Sequence, residues 1–264
     1  MQVLTPSVDL AAFFVLVRHA PQRVLILDYD GTLAPFHVQP ERAVPYPEVA
    51  AALQDLVAAG GTRVVIVSGR PAGEVPPLLS IAPRPEIWGS HGWERLMPDG
   101  RRVVEQPVSA VRRALAEAES AVRAEMPAEA RLEKKLASIA LHWRGLPAHA
   151  CDELRTKASA LWEPIALESA VEILPFDGGL ELRAIGCNKQ YAVKAVLSET
   201  AQGSAIAYLG DDITDEDAFR AVKPRGIGVL VRTEFRDTAA DVWIRPPEEL
   251  LSFIRPWSPK SNGE

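Results

Sequence analysis

The stretch Val24-Leu25-Ile26-Leu27-Asp28-Tyr29-Asp30-Gly31-Thr32-Leu33 limits what this chain can fold into more than any other. A short branched apolar run ends abruptly in two carboxylates separated by one residue. Without polar alternation, such a run predicts a strand buried on both faces. Gly31 breaks it and allows a sharp turn. Alternation along an extended chain places Asp28 and Asp30 on one side, just past the strand's end. Ligands of open α/β sheets bind there, outside the carboxyl ends of the strands. Two carboxylates so close repel unless a cation or a shared proton relieves them. Asp and Gly are also ordinary turn residues, so this stretch alone leaves a plain strand-to-loop turn equally open.

The flanking chain supplies an α/β context. Val8 to His19 has helical spacing. Glu48 to Ala59 carries Val49, Leu53, Leu56 and Val57 on one helical face and closes on Gly60-Gly61. Arg63 to Val67 reads as a second buried strand, running into Ser68-Gly69-Arg70. Strand, helix and strand with short connections make a βαβ unit with parallel pairing. Ile87-Trp88 runs into a third Gly-rich turn, Gly89-Ser90-His91-Gly92.

After about Pro98 the pattern changes. Val108 to Glu125 predicts a long helix, Leu132 to Arg144 an alternating stretch, and Ala148 to Trp162 a second helix. Val171 to Leu174 and Leu180 to Arg183 bracket Asp177-Gly178-Gly179, a hairpin signal. An α+β unit inserted into the α/β chain is expected. The parallel pattern resumes with a helix over Asn188 to Thr200 and a strand over Ser204 to Leu209, ending in Gly210-Asp211-Asp212. A helix over Thr214 to Val222, strands at Gly226 to Val231 and Val242 to Ile244, and a helix over Glu248 to Ile254 follow.

With 264 residues the chain makes one large or two modest domains. Its net charge of -6 argues against a nucleic-acid binder. A small anionic substrate is compatible, since it needs only a few local cations or a metal. The apolar run Leu10 to Val17 falls far short of the roughly 20 residues that span a membrane, and no basic region precedes it. Cys151 and Cys187 are too few for a disulfide framework. A cytoplasmic protein without membrane or nucleic-acid partners is expected.

Polar clusters stand at four strand ends: Asp28/Asp30, Ser68/Arg70, Ser90/His91 and Asp211/Asp212/Asp215. In a parallel sheet all four share one edge. Carboxylates from separate strands make a hard, oxygen-rich site suited to Mg²⁺. With Lys189 and the Ser68 hydroxyl, such a site would neutralise a phosphoryl group, whose transfer depends on positioning and charge stabilisation. An Asp carboxylate could attack phosphorus, and a second Asp could move the protons. Glu216 and Asp217 read as acids favoured at a helix N-terminus. There is no Walker A loop.

Taken in order, Asp28-Tyr29-Asp30-Gly31-Thr32-Leu33, Ser68-Gly69-Arg70, Lys189 and Gly210-Asp211-Asp212-Ile213-Thr214-Asp215-Glu216-Asp217 resemble the four motifs of the haloacid dehalogenase superfamily of phosphatases. Gly89-Ser90-His91-Gly92-Trp93-Glu94, Glu133-Lys134-Lys135, His142-Trp143-Arg144 and Glu181-Leu182-Arg183 resemble its trehalose-6-phosphate phosphatase branch. The resemblance implies a doubly wound parallel-sheet (Rossmannoid) α/β core over residues 1–100 and 185–264. An inserted α+β cap over 101–184 would complete it.

It also implies roles. Asp28 would be the nucleophile and Asp30 the general acid/base, with the Asp30 carbonyl on Mg²⁺. Asp28 and Asp211 would ligate the metal, and Asp212 and Asp215 would ligate it or orient its water. Ser68 and Lys189 would hold phosphoryl oxygens. Thr32, Gly69, Arg70 and His91 would contact the substrate, and Glu133, Lys135, Arg144 and Glu181 would bind the sugar from the cap. The activity implied is that of a phosphoric monoester hydrolase, releasing trehalose and phosphate from trehalose 6-phosphate through phospho-Asp28. Sucrose phosphate, mannosylphosphoglycerate and glucosylglycerol phosphate stay open as substrates. A silent sugar-phosphate-binding domain or a mutase stays open as a role, and so does a functional link to a trehalose-phosphate synthase. Two residues depart from the family pattern: Gln190 stands where Gly is usual, and Trp143 where Tyr is usual.

Overall fold

The computed structural model describes residues 1–126, 131–176 and 178–258. In chain order the elements are β1 (Gln2–Val3), α1 (Leu10–His19), β2 (Arg23–Asp28), α2 (Pro47–Ala59), β3 (Thr62–Val67), α3 (Val75–Leu79), β4 (Glu86–Gly89), β5 (Glu94–Leu96) and β6 (Arg102–Val104). Then come α4 (Ser109–Glu125), β7 (Arg131–Lys134), β8 (Ser138–His142), α5 (Ala148–Glu168), β9 (Val171–Phe176) and β10 (Gly179–Ala184). The chain continues through α6 (Lys189–Ser198), β11 (Ala205–Gly210), α7 (Glu216–Val222), β12 (Ile227–Val231), β13 (Val242–Ile244) and α8 (Glu248–Ile254). It divides into two compact units, Met1–Val103 with Asn188–Glu264, and Val104–Cys187.

The larger unit is built on a sheet of order β1-β13-β12-β11-β2-β3-β4-β5-β6. From β13 across to β4 every pairing is parallel. β2 is therefore central, flanked by β11 and β3, and both of its faces are covered. Leu25 and Leu27 face a layer that holds Phe13, Leu53, Leu56 and Phe253. Val24 and Ile26 face the opposite layer, with Val193, Val196, Phe219 and Val222. Each such buried side chain is worth about 2 kcal/mol relative to exposure, and this anchors the strand that ends in Asp28. Parallel pairing brings the carboxyl ends of β2, β3, β4 and β11 to one edge.

The smaller unit carries an antiparallel sheet of order β7-β8-β10-β9. Glu133 pairs with Ala140, and Ala140 with Glu181, so the three share one face. The alternate residues Ile139, Leu141, Leu180 and Leu182 are buried, and α4 and α5 pack against this sheet. Two expectations need correction. Leu132 to Arg144 does not run on as one extended stretch but doubles back into β7 and β8, closed by a bond from the Lys135 N–H to the Ser138 carbonyl (2.9 Å). The helix begun at Ala148 does not stop at Trp162 but passes through Pro164 to Glu168. Burial of Trp162 and Ile165 outweighs the backbone hydrogen bond that proline removes. β9 and β10 pair antiparallel, with Asp177 itself outside the described residues. No helix among the described residues is long and apolar enough to cross a membrane.

Candidate active site

β2 delivers Asp28, nearly fully buried, to the carboxyl edge of the sheet. The chain then curls back, with the Gly31 N–H on the Ala34 carbonyl (2.7 Å) and the Ala34 N–H on the Tyr29 carbonyl (3.0 Å). Gly31 has φ +87°, and a Cβ there would lie 2.1 Å from an Asp211 carboxylate oxygen. Only glycine meets both demands. The curl tucks Thr32 beneath the cluster, its hydroxyl 3.1 Å from Asp28 Oδ2 and 3.5 Å from Asp211 Oδ1. Asp30 leaves the cluster. Its half-buried carboxylate takes the Arg70 guanidinium in a fork, Nε to Oδ2 at 2.7 Å and Nη2 to Oδ1 at 2.6 Å. Arg70 also lies over the Tyr29 ring.

Ser68 is buried where β3 ends, and its Oγ accepts the Arg70 N–H at 3.1 Å. The turn after β4 is strained: Ser90 and His91 hold φ of 49° and 56°, each costing about 1–2 kcal/mol. Three bonds hold it there: Ser90 N–H to the Arg70 carbonyl (2.7 Å), His91 N–H to the Ser68 carbonyl (3.0 Å), and Ser90 Oγ to Glu94 (2.6 Å). The strain seats the buried His91 ring against Gly69, where a Cβ would come within 2.8 Å of it.

Lys189 opens α6, and its buried ammonium bonds Asp28 Oδ1 and Asp215 Oδ1, each at 2.7 Å. Asp215 is wholly buried and saturated with donors. Its Oδ1 also takes the Tyr208 hydroxyl at 2.5 Å, and its Oδ2 takes the N–H groups of Asp211 (3.0 Å) and Asp212 (2.9 Å). Asp212 is half-buried and turns its carboxylate to the Ile213 N–H (2.7 Å). Gln190 sits half-buried in the first turn of α6.

Carboxylate oxygens of Asp28, Asp211 and Asp215 lie within 4.8 Å of one another. Burial pushes the Asp28 carboxyl above its ordinary range; Lys189 pulls it back and Asp215 adds to the rise. Burial, then Asp28 and Asp215, push Asp211 up strongly. Burial works against the Lys189 ammonium, but Asp215 and Asp28 outweigh it and hold its pKa above that of an ordinary lysine. Three carboxylates thus face one ammonium. With all three ionised, two negative charges are left over, and on hard oxygen donors they match a divalent cation. Asp28 and Asp211 have oxygens to offer it, whereas those of Asp215 are already engaged.

In the smaller unit, Glu181 accepts from Ser138 Oγ (2.7 Å) and Lys135 Nζ (3.2 Å). Glu133 meets His142 Nε2 at 2.7 Å. Burial works to raise the Glu133 pKa, but the His142 bond and the nearby cations outweigh it and hold the group at about 2. Arg144 lies beyond the end of β8, against Gly178. Asp28, Thr32, Lys189, Asp211 and Asp215 therefore form one cluster. Asp30 with Arg70, and Ser68 with Gly69 and His91, stand on the neighbouring strand ends. Glu133, Lys135, Arg144 and Glu181 belong to the other unit.

Sequence reasoning missed two residues. Tyr208 lies in an apolar run and reads as core, yet its hydroxyl serves Asp215. Arg236 lies in the loop after β12, where nothing local marks it, and it reaches the carbonyls of Asp211 and Asp212.

Residues 26–242 match the sequence profile of the trehalose-phosphatase family. A trehalose-phosphate phosphatase of Mycobacterium marinum is 30% identical over 248 residues, covering 88% of this chain and 60% of that protein. The chain thus spans about three fifths of the length of that relative. Among solved structures, the C-terminal domain of Candida albicans trehalose-6-phosphate phosphatase superposes with a TM-score of 0.79 at 19% identity, covering 96% of this chain and 98% of that one. A haloacid dehalogenase-like hydrolase from Bacillus subtilis gives 0.61 at 15%, covering 89% and 99%. At such identities the two structures speak to fold alone, and that fold is the haloacid dehalogenase α/β core with an inserted smaller domain. A profile match across most of the chain, on a sheet edge carrying all four motifs, places this chain in the trehalose-phosphatase family.

Proposed function

We propose that the chain is a Mg²⁺-dependent phosphatase that hydrolyses trehalose 6-phosphate to trehalose and phosphate. The observation that carries this reading is the placement of Asp28. It is a buried carboxylate at a central strand end, with one oxygen on Lys189 and Asp211 close by. Asp28 attacks phosphorus and the P–O bond to the sugar breaks, leaving the phosphoryl group on Asp28. Asp30, once it leaves the Arg70 fork that takes both of its oxygens, gives a proton to the departing sugar oxygen and then takes one from the water that attacks phospho-Asp28. Phosphate leaves and Asp28 is restored. Lys189 and the Ser68 hydroxyl offset charge on the phosphoryl oxygens. Asp28 and Asp211 would hold Mg²⁺, which supplies electrostatic stabilisation of the transferring group. Glu133, Lys135, Arg144 and Glu181 are the proposed sugar ligands. Fixed carboxylates and an ammonium suit hydroxyl recognition, and the low pKa of Glu133 keeps it an acceptor at neutral pH.

Phosphate release by purified protein with Mg²⁺ tests this on trehalose 6-phosphate, sucrose 6-phosphate, glucose 6-phosphate and an aryl phosphate, with an EDTA control. Preference for trehalose 6-phosphate, lost in EDTA, is expected. Release from the aryl phosphate but not from trehalose 6-phosphate would keep the chemistry and reject the substrate. No release from any of them would leave a sugar-phosphate-binding domain.

A further inference from the structure

The loop between β11 and α7 is held from two sides. Asp215 takes the N–H groups of Asp211 and Asp212. Arg236 takes their carbonyls, with Nε 3.2 Å from Asp211 O and Nη2 2.7 Å from Asp212 O. All four main-chain polar groups of the two residues are therefore bonded, and their side chains are what the loop has left to offer. Arg236 is itself anchored. Its Nη1 lies 2.5 Å from Glu216 Oε1 and 2.9 Å from the Asp237 carbonyl. Glu216 also accepts from Thr238 Oγ1 (2.8 Å) and the Ala239 N–H (2.7 Å). The loop after β12 is thereby locked onto the start of α7, with Arg236 and Glu216 only 19% and 14% exposed.

We infer that Arg236 is a positioning residue for the metal site: its guanidinium fixes the backbone of Asp211 and Asp212 so that the Asp211 carboxylate is pre-aimed at Asp28. This rests on reading the Asp28–Asp211 cluster as the Mg²⁺ site. The physical reason is rigidity. Without Arg236 the Asp212 carbonyl keeps the Asp215 N–H (3.0 Å), but the Asp211 carbonyl loses its partner and the 211–212 peptide unit is held at its N–H alone. It can then tilt, and the Asp211 carboxylate, pressed against Gly31, shifts with it. A ligand that must be ordered on binding gives a weaker site, and lost outer-shell partners typically cost roughly ten- to a hundred-fold in metal affinity.

The test is calorimetric titration of Mg²⁺ into metal-stripped protein, comparing wild type, Arg236→Gln and Arg225→Gln. Arg225 makes the same kind of clamp at the other end of β12, on the carbonyls of Leu197, Thr200 and Ala201. It controls for loss of an arginine–carbonyl clamp as such. The expected result is at least tenfold weaker Mg²⁺ binding in Arg236→Gln and binding within twofold of wild type in Arg225→Gln. In turnover, the Mg²⁺ concentration for half-maximal rate should rise likewise, while kcat at saturating Mg²⁺ falls only a few-fold. Unchanged Mg²⁺ affinity in folded Arg236→Gln, or equal weakening in both variants, overturns the inference. Should Arg236→Gln fail to fold, Arg236→Lys carries the same expectation, because an ammonium keeps the charge but lacks the planar fork; its unchanged affinity would be equally fatal. Wild type that binds no Mg²⁺ would instead sink the reading of the cluster, a result distinct from any difference among variants.

Discussion

Lys189→Met removes the ammonium that Asp28 and Asp215 share, while a flexible apolar chain fills much of its space. Both bonds are 2.7 Å long, and the three side chains are at most 5% exposed. Water cannot replace the lost charge. Removing one partner from such a buried set costs about 3–5 kcal/mol, because the remaining charges stay buried and uncompensated. For a chain of this size, that lowers the thermal midpoint by about 10 °C. Part of the cost is relieved if a carboxyl takes up a proton, and this sets the pH dependence. Burial raises the folded-state pKa of Asp28 and Asp211, and Lys189 opposes the rise at both. Without Lys189 both rise further.

A carboxyl with a folded pKa above its unfolded value holds more protons folded than unfolded. Its contribution therefore declines as pH climbs from the unfolded value through the folded one. The variant should lie closest to wild type near pH 5 and fall away toward pH 8. Mg²⁺ should narrow the gap most at the upper end, where its ligands are ionised. Thermal melts by far-UV circular dichroism at pH 5, 6, 7 and 8, each in EDTA and in excess Mg²⁺, measure all of this. A midpoint within 2 °C of wild type at pH 8 in EDTA, or a deficit that grows toward pH 5, would refute the charge argument.

Gly31→Ala should cut phosphate release at least a hundred-fold and cost more than the ~1–2 kcal/mol of its positive φ, since the new Cβ would also meet the Asp211 carboxylate at 2.1 Å and displace it; parallel activity and melting measurements check both. Asp28→Asn should melt near wild type and release no phosphate, and substantial residual turnover would remove Asp28 as nucleophile. Glu181→Ala and Glu133→Ala should each lower kcat/KM for trehalose 6-phosphate by ten-fold or more and leave an aryl phosphate within about three-fold. Equal losses on both substrates would count against sugar recognition by that sheet face.

What could be seen beforehand was what short-range pattern encodes. Asp28, Ser68 and Asp211 each close a short apolar run, and β2, β3 and β11 needed only that run and the glycine after it. The reversal between β7 and β8 was hidden for a physical reason. Lys135-Leu136-Ala137 contains no glycine, proline or asparagine, and the only trace of the turn is a one-residue phase shift that puts Leu132 on the face of Ile139 and Leu141. A proline inside a helical pattern usually ends or kinks the helix, and nothing local shows that α5 runs past Pro164; only the buried ring of Trp162 and side chain of Ile165 show why it does. The partners within the site were hidden for another reason. Arg70 finds Asp30, and Arg236 finds Asp211, through the sheet order, which no local window contains; Tyr208 finds Asp215 only seven residues on, where the loop after β11 folds back beneath the strand. Glu216 makes the point most sharply. An acid in the first turn of a helix suits the helix dipole, and that alone explains its presence at the level of sequence. Yet here it also accepts three hydrogen bonds from the loop after β12. Both roles require the same residue type at the same position. The choice between them becomes visible only when β12 is laid beside β11 and its following loop is brought back over α7.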